Sequence, residues 1–380
     1  MREKKNILMI AGEASGDLHG ANLIYALKSL MPEVDILGIG GPRMRRAGLK
    51  SIYPTEKLSV VGITEVIGHL RDIWLARKRI KTTFNTSPPS LFIPIDYPDF
   101  NLHIAKIAKE NGIPVLYYIS PQVWAWRRSR VKKIANLVDE MAVILPFEKR
   151  FYKKYNVKVN FVGHPLLDII PEPKNVSQPT RLLMPEHSDG GQVIGLMPGS
   201  RLSEVKRILP IMIETSKILR QKRPDLRFAL PVAPTLDIQW LKKKFDLSKI
   251  ALLKENNYQA MRRCLFLLVA SGTATLEAAI LLKPFIIIYR LSVLSYFLGK
   301  RLVDIPYIGL VNWVAEKKII PEFLQNEARP ENVAEAALSL LENSEKLRQI
   351  KESLKVVRKR LGTPGASQRV AQLAKNILEI

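Results

Sequence analysis

The sequence predicts an α/β protein made of two doubly wound halves that face a central cleft, each a parallel sheet covered by helices. Three observations lead there. The chain has 380 residues, and single cores rarely grow past about 250. Short, continuous apolar runs alternate with helical patterns, as parallel strands buried on both faces require. The alternation stops at a proline-rich stretch near the middle and then restarts, which reads as two domains and a linker.

Taken in order, Ile7–Ala11 is a buried strand, followed by the loop Gly12–Asp17 and a helix from Leu18 to about Leu30. Strands follow at Asp35–Gly40, Leu91–Asp96, Val115–Ile119, Glu140–Ile144 and Val159–Val162, with helical patterns between most of them. Pro171–Pro179 reads as the linker. The second series has strands at Val193–Met197, Arg227–Pro231, Ala251–Leu253, Leu265–Val269 and Phe285–Ile288. The chain ends in helices, roughly Pro330–Leu341, Glu345–Leu361 and Ser367–Leu378. In such sheets ligands bind beyond the carboxyl ends of the strands.

Composition narrows the function classes. Hydrophobic residues make up 47% and charged residues 25%, enough apolar surface to exclude wholesale disorder. The mean hydropathy of +0.00 is high for so charged a chain. Cys264 is the one cysteine, so an intrachain disulfide and a zinc site of several thiolates are excluded. The net charge of +24 calls for an anionic partner: nucleic acid, an anionic membrane face or phosphorylated substrates. No apolar run reaches the roughly 18 residues of a spanning helix, and the first apolar run is too short for a signal peptide. The expectation is a cytoplasmic protein, peripheral on a membrane.

Several loops carry candidate chemistry. Gly12–Gly20 crowds Glu13, Ser15, Asp17 and His19 at a strand-to-helix turn, where glycines admit close approach and a helix N-terminus favours anions. The bland alternative is a glycine turn with Asp17 as helix cap. Gly38–Arg43 is a failed dinucleotide fingerprint, with Arg43 in place of the third glycine; Arg43 is left as a phosphate contact. Asp96 and Asp99 lie at a strand's carboxyl end; Asp96 is assigned to proton abstraction and Asp99 to helix capping. In Ser120–Arg130, Trp124 and Trp126 stand beside Arg127, Arg128 and Arg130, a pattern that suits sugars and phosphates as well as it suits a core with a basic face. Pro198–Arg201 and Ala270–Glu277 both follow strands and open helices. Gly199, Ser200, Ser271, Gly272 and Thr273 can offer backbone N–H groups to a diphosphate, with Arg201 as a bidentate donor. Glu277 can accept from ribose hydroxyls. There is no Walker lysine, no Asp-x-Asp pair and no histidine pair at metal-ligand spacing, so no metal and no cofactor are expected.

Two stretches read as surface helices. Val66, Ile67, Leu70, Ile73 and Trp74 recur at helical spacing before a run of basic residues. They fit a core-facing stripe or a basic amphipathic helix on an anionic membrane. Leu291–Val303 is a second such stretch.

Eight segments, in order along the chain, resemble the lipid A disaccharide synthases. They are Ala11–Asp17, Gly41–Arg43, Ile95–Asn101, Ser120–Arg127, Leu145–Lys149, Phe161–His164, Pro198–Arg201 and Ala270–Glu277. The resemblance implies a GT-B fold, two Rossmann-like domains, and an inverting, metal-independent glycosyltransferase. It implies that the 6-hydroxyl of 2,3-diacylglucosamine 1-phosphate attacks the anomeric carbon of UDP-2,3-diacylglucosamine, giving a β(1→6) disaccharide 1-phosphate and UDP. Asp96 falls on the family's essential aspartate and Arg201 on its essential arginine, while Asn312 matches a functional asparagine of the UDP-sugar site.

With that resemblance, residues 1–168 are expected to form the acceptor domain with the membrane patch, joined by a returning helix at 346–380. Residues 169–345 are expected to bind the UDP-sugar. Asp96 is the first choice for the base, with His19 and Glu13 as rivals. Ser15, Arg43, Trp126 and Arg127 are placed on the acceptor and its phosphate. The expected partners are the two acylated sugars and the anionic inner face of the inner membrane, with a homodimer left open. Nucleic-acid binding ranks far lower, since no RNA-recognition motif is present and the basic residues are dispersed. Another UDP-sugar enzyme, an epimerase or a cell-wall glycosyltransferase, is the nearer rival.

Overall fold

A computed structural model describes residues 5–55, 58, 66–124, 130–170, 192–254, 257–291 and 306–379, without the side chains of 66–70. The chain divides into two compact units, Met1–Asp168 with Leu361–Ile380, and Ile169–Arg360.

The first unit runs β1 (Asn6–Ala11), α1 (Ala14–Leu30), β2 (Asp35–Ile39), α2 (Pro42–Ala47), β3 (Lys50–Ser51), α3 (Val66–Thr86), β4 (Leu91–Ile95) and α4 (Pro98–Glu110). It continues with β5 (Leu116–Tyr118), α5 (Arg130–Leu137), β6 (Glu140–Val143), α6 (Pro146–Lys153), β7 (Val159–Phe161) and α7 (Leu166–Ile169). Its seven strands pair in parallel in the order β3-β2-β1-β4-β5-β6-β7. β1 shows why its sequence is apolar without a break. Leu8 and Ile10 enter the core shared with Phe84, Phe100 and Ile104, while Ile7, Met9 and Ala11 enter the opposite core with Leu23, Ile24 and Leu27. A strand with two dry faces has no polar positions to offer.

The second unit runs β8 (Val193–Met197), α8 (Leu202–Lys222), β9 (Arg227–Pro231), α9 (Ile238–Lys244), β10 (Ala251–Leu253), α10 (Asn257–Arg263), β11 (Phe266–Ala270) and α11 (Thr273–Ile280). Then come β12 (Phe285–Tyr289), α12 (Leu310–Ala315), β13 (Glu322–Leu324), α13 (Pro330–Leu341) and α14 (Ser344–Arg360). Its six parallel strands follow the order β10-β9-β8-β11-β12-β13. β3 and β13 were not expected; both are edge strands, and Lys50–Ser51 and Glu322–Leu324 begin on charged residues and form no continuous apolar run.

The last helix, α15 (Ala366–Leu378), packs Val370, Ala371, Ala374 and Leu378 into the first unit's core beside α1. The returning segment therefore begins at Leu361 and not at residue 346, because α14 packs on α11, α12 and α13 of the second unit. Arg369 docks the return: its guanidinium donates to the carbonyls of Val162 (2.8 Å), Pro364 (3.0 Å) and Thr363 (2.6 Å). The Asp168 carboxylate accepts from Gly365 N (2.5 Å). Replacing Arg369 by Ala removes all three bonds, but those to Pro364 and Thr363 are exposed and open to water, so the part-buried bond to Val162 counts most, and a hydrogen bond to a charged group contributes about 1.5–3 kcal/mol. We expect Arg369→Ala to lower the stability of the first unit by about 2 kcal/mol, read as a lower urea midpoint; an unchanged midpoint would show that the helix face alone holds the segment.

Candidate active site

Both sheets reverse their strand order at one point, between β1 and β4 and between β8 and β11. Crevices open beyond the carboxyl ends of the strands at such points. In the first unit Ala11 pairs with Ile95, so the β1–α1 turn and Asp96 leave the sheet side by side. A Cβ at Gly12 would run into the ring of Tyr97, which is why this turn needs glycine.

Asp96 and Tyr97 are both left-handed, with φ of 46° and 50°. Two consecutive non-glycine residues there are strained. The carbonyl of Asp96 accepts from Asn101 Nδ2 (2.6 Å) and from the Tyr117 hydroxyl (2.7 Å), and its N–H donates to Tyr118 O (3.2 Å). The backbone is thus fixed on both sides and the carboxylate is left half-buried at the strand end. Asp99 does not cap α4, whose N-cap residue is Tyr97; it sits in the first turn and pairs with Arg130 at 2.5 Å. Asn101 was missed by sequence reasoning, although a fully buried asparagine on an apolar helix face is itself a signal.

The helix α1 starts at Ala14, four residues earlier than expected, with Glu13 as N-cap. Ser15 is exposed in its first turn, and Glu13 is exposed beside Tyr97, whose hydroxyl its charge helps to hold above the usual range after burial. Asp17 does not cap its own helix. It is buried and accepts from Arg43 N and Met44 N, both at 3.0 Å, so it caps α2. The Arg43 side chain is exposed.

His19 is buried, and its Nδ1 has no hydrogen-bond partner among the described residues. Burial first, and the Arg43 guanidinium second, hold its pKa down at about 4. His164 is buried too; burial and then His19 depress it to about 3, and its Nδ1 accepts from Leu166 N at 3.2 Å. The buried His19 imidazole is less open to a substrate hydroxyl than half-buried Asp96. A further buried group was not foreseen. Glu148 accepts from Ser120 Oγ (2.6 Å), Trp124 Nε1 (3.2 Å) and Leu145 N (2.9 Å), while burial raises its pKa to about 7.

In the second unit Met197 pairs with Val269, so Pro198–Arg201 and Ser271–Thr273 leave adjacent strands. Gly199 has φ 102°, a conformation other residues avoid. Arg201 is the N-cap residue of α8, half-exposed and 3.5 Å from Glu204; its charge is felt by Tyr289 at the end of β12. Thr235 Oγ1 donates to Ser200 O at 2.7 Å. Gly272 is the N-cap residue of α11; it and Thr273 are exposed, and Ser271 Oγ donates to Ile308 O at 3.2 Å. Glu277 is half-buried one turn further on; burial pushes its pKa up to about 7, opposed by a long hydrogen bond from Tyr258 (3.4 Å). At that value the carboxyl can donate or accept near neutrality.

Asn312 corrects the expectation that it contacts the UDP-sugar. It is fully buried, and its amide is saturated. Nδ2 donates to Ile320 O (2.9 Å) and Glu322 Oε1 (2.8 Å), while Oδ1 accepts from Ile319 N (2.9 Å) and Ile320 N (3.0 Å). Glu322 also accepts from Ile308 N and Gly309 N, both at 2.9 Å. Asn312 therefore braces the segment that receives the Ser271 hydroxyl.

The surface expectations divide. On α3, Ala76, Ile80 and Phe84 are buried and Ile73 packs on their core. Ile73 is thus on the core side and not beside Trp74. Trp74 is 58% exposed, in one stripe with exposed Arg71, Lys78 and Lys81. Lys78 Nζ lies 5.3 Å from the Trp74 ring. The side chains of Val66, Ile67 and Leu70, and the residues Trp126, Arg127 and 292–305, lie outside the described residues. Trp124 is a core residue, edge-on to Phe147 at 4.8 Å. Among the described residues no cluster of three His, Cys, Asp or Glu could hold a metal.

The two buried histidines make the first unit acid-sensitive. Their folded pKa values lie below the ordinary 6.5, so the unfolded chain takes up protons first. Their contribution is complete above about pH 6.5 and is lost as pH falls toward 4; for His19 this reaches about 3 kcal/mol. Glu148 acts in the opposite sense, its contribution being lost as pH rises from 4.5 through about 7. Comparing wild type with His19→Gln by urea unfolding at each pH cancels Glu148. The variant is expected to lose less stability between pH 6.5 and 4, and parallel losses would refute the burial of a neutral His19.

The comparisons with known proteins agree along the whole chain. The family model for lipid-A-disaccharide synthetase matches residues 7–377. The lipid-A-disaccharide synthase of Syntrophus aciditrophicus is 43% identical over 99% of this chain and 98% of its own. That of Trichlorobacter lovleyi is 44% identical over 99% and 98%. Among solved structures, the UDP-GlcNAc 2-epimerase of Neisseria meningitidis bound to UDP-GlcNAc aligns with TM-score 0.64 at 12% identity, over 99% of this chain and 100% of that one. The S. aureus MnaA–UDP co-structure aligns with TM-score 0.64 at 15% identity, over 99% and 97%. These two show the fold alone, that of the GT-B proteins. The chain belongs to the lipid-A-disaccharide synthase family.

Proposed function

We propose that the protein is a glycosyltransferase that makes the lipid A disaccharide. It transfers 2,3-diacylglucosamine from its UDP conjugate to the 6-hydroxyl of 2,3-diacylglucosamine 1-phosphate and releases UDP. One observation carries the reading beyond family membership. The segments matched to the family stand at the strand-order reversal of each sheet, Asp96 in one and Arg201 with Ser271–Thr273 in the other.

The residues suit an inverting displacement. The acceptor hydroxyl attacks the anomeric carbon as its proton passes to the Asp96 carboxylate, whose backbone is already fixed. As the bond to the diphosphate breaks, negative charge grows on the leaving oxygen. Arg201 and the backbone N–H groups at the start of α11 stabilise that charge without a metal. Glu277 holds the ribose. Glu13, Ser15 and Arg43 face the acceptor and its phosphate, with Trp126 and Arg127 contributing from the segment after Trp124. The exposed stripe of Arg71, Trp74, Lys78 and Lys81 on α3 seats the protein on an anionic membrane, where its acylated substrates reside. No described helix is long and apolar enough to cross a membrane.

Three outcomes test this. Incubation with UDP-2,3-diacylglucosamine and the acylated 1-phosphate should release UDP and disaccharide 1-phosphate in equal amounts, and epimerised sugar without disaccharide would sink the reading. Asp96→Ala should fold normally and lose about a thousandfold in kcat, and Arg201→Ala about a hundredfold in kcat/KM, with EDTA leaving the wild type active. Association with vesicles should strengthen with anionic lipid, weaken with salt and fall in Trp74→Ala; indifference to all three would remove α3 from the membrane.

A further inference from the structure

We propose that Glu148 is a positioning residue for the transfer reaction, holding the exit of β5 and, through that strand, the backbone that aims Asp96. The proposal rests on the reading of Asp96 as the proton acceptor.

Glu148 is 1% exposed on α6. Its three hydrogen bonds reach Ser120, Trp124 and Leu145. Trp124 is held a second time by the edge of Phe147, and the Tyr152 hydroxyl donates to Pro121 O at 3.2 Å. The stretch Ser120–Trp124 is thereby tied to α6 at several points. Immediately before it stands Ile119, with φ 62°. A β-branched residue there is a genuine outlier and persists only where its surroundings hold it. Immediately before Ile119, Tyr117 and Tyr118 make the bonds to Asp96 O and Asp96 N. Three strained residues on two adjacent strand ends, Asp96, Tyr97 and Ile119, thus share one network with a buried carboxylate at its far side. Packing alone does not ask for that carboxylate, since an apolar side chain of similar shape fills such a site at lower cost. Burial raises the Glu148 pKa, which marks the ionised form as one the site accommodates at a cost.

The test is a double-mutant cycle. Glu148→Gln keeps the shape and one carbonyl acceptor but turns an NH₂ group toward a backbone N–H. It should lower kcat at least tenfold, while UDP affinity measured by calorimetry stays within twofold, because the UDP loops belong to the other unit. In an Asp96→Asn background, followed over long incubations, the same change should alter kcat less than twofold, since the group it positions is gone. A merely structural Glu148 would lower Tm and leave kcat within twofold, or its effect would multiply with that of Asp96→Asn; either result overturns the proposal. If Glu148→Gln does not fold, Glu148→Asp, which keeps the charge and withdraws it by one methylene, takes its place in the cycle. Normal turnover in Asp96→Asn alone would instead overturn the reading of Asp96.

Discussion

The pairing of β1 with β4 is the constraint from which the first unit's chemistry follows. Both strands are buried on both faces, and their register sets Ala11 against Ile95. Beyond that pair the chain must divide. From β1 it enters α1, whose Leu23, Ile24 and Leu27 pack on one face of the sheet; from β4 it enters α4, whose Phe100, Ile104 and Ala105 pack on the other. The two turns part company there and leave polar groups at a strand end that neither helix covers. Slipping the register by one residue would exchange the two faces of a strand. The location of Asp96 is therefore fixed by apolar packing well below it.

Location alone does not aim a carboxylate. Left-handed backbone costs roughly 1–2 kcal/mol per residue for Asp96 and Tyr97. The hydrogen bonds from Asn101 and Tyr117 to one carbonyl return about 1 kcal/mol each. Those terms nearly cancel, so the conformation depends on what else holds the strand ends, and Ile119 with its neighbours is the adjacent support. In the second unit the problem is reversed. There the two loops at the strand-order reversal take their left-handed backbone at glycines, Gly199 with φ 102° and Gly272 with φ 146°.

Periodicity and motif order made the large features legible. Continuous apolar runs identified nearly every long strand, because a strand dry on both faces leaves no ambiguity at the level of pattern. The positions of Asp96 and Arg201 beyond strand ends were legible because each follows such a run. What escaped was long-range partnership. Asp17 lies three residues into a helix and yet caps another one 26 residues away, through Arg43 N. Asn312 looked like a ligand residue because a buried asparagine and a binding asparagine are identical in sequence; only its four saturated bonds tell them apart. On α3, Ile73 and Trp74 are neighbours in sequence, and a turn of about 100° per residue sends one to the core and the other to solvent. The start of the returning segment was misjudged for the same reason, since α14 and α15 are both basic and amphipathic and differ in what they pack against.

The charge of +24 acts on a different scale from these contacts. At physiological salt, exposed charges are screened beyond about 8 Å. Dispersed lysines can raise the local concentration of anionic lipids and sugar phosphates, but they cannot select among them. Selection needs groups fixed to within a fraction of an ångström, and those groups are few. The protein does not place bare charge in its interior to obtain them. Its buried histidines are held neutral, and its buried Glu148 is bound by three donors. Arg201, by contrast, stands half-exposed at a helix N-terminus, 3.5 Å from Glu204. A cation at that end opposes the helix dipole, and the Glu204 carboxylate in the helix's first turn offsets both the dipole and the guanidinium charge.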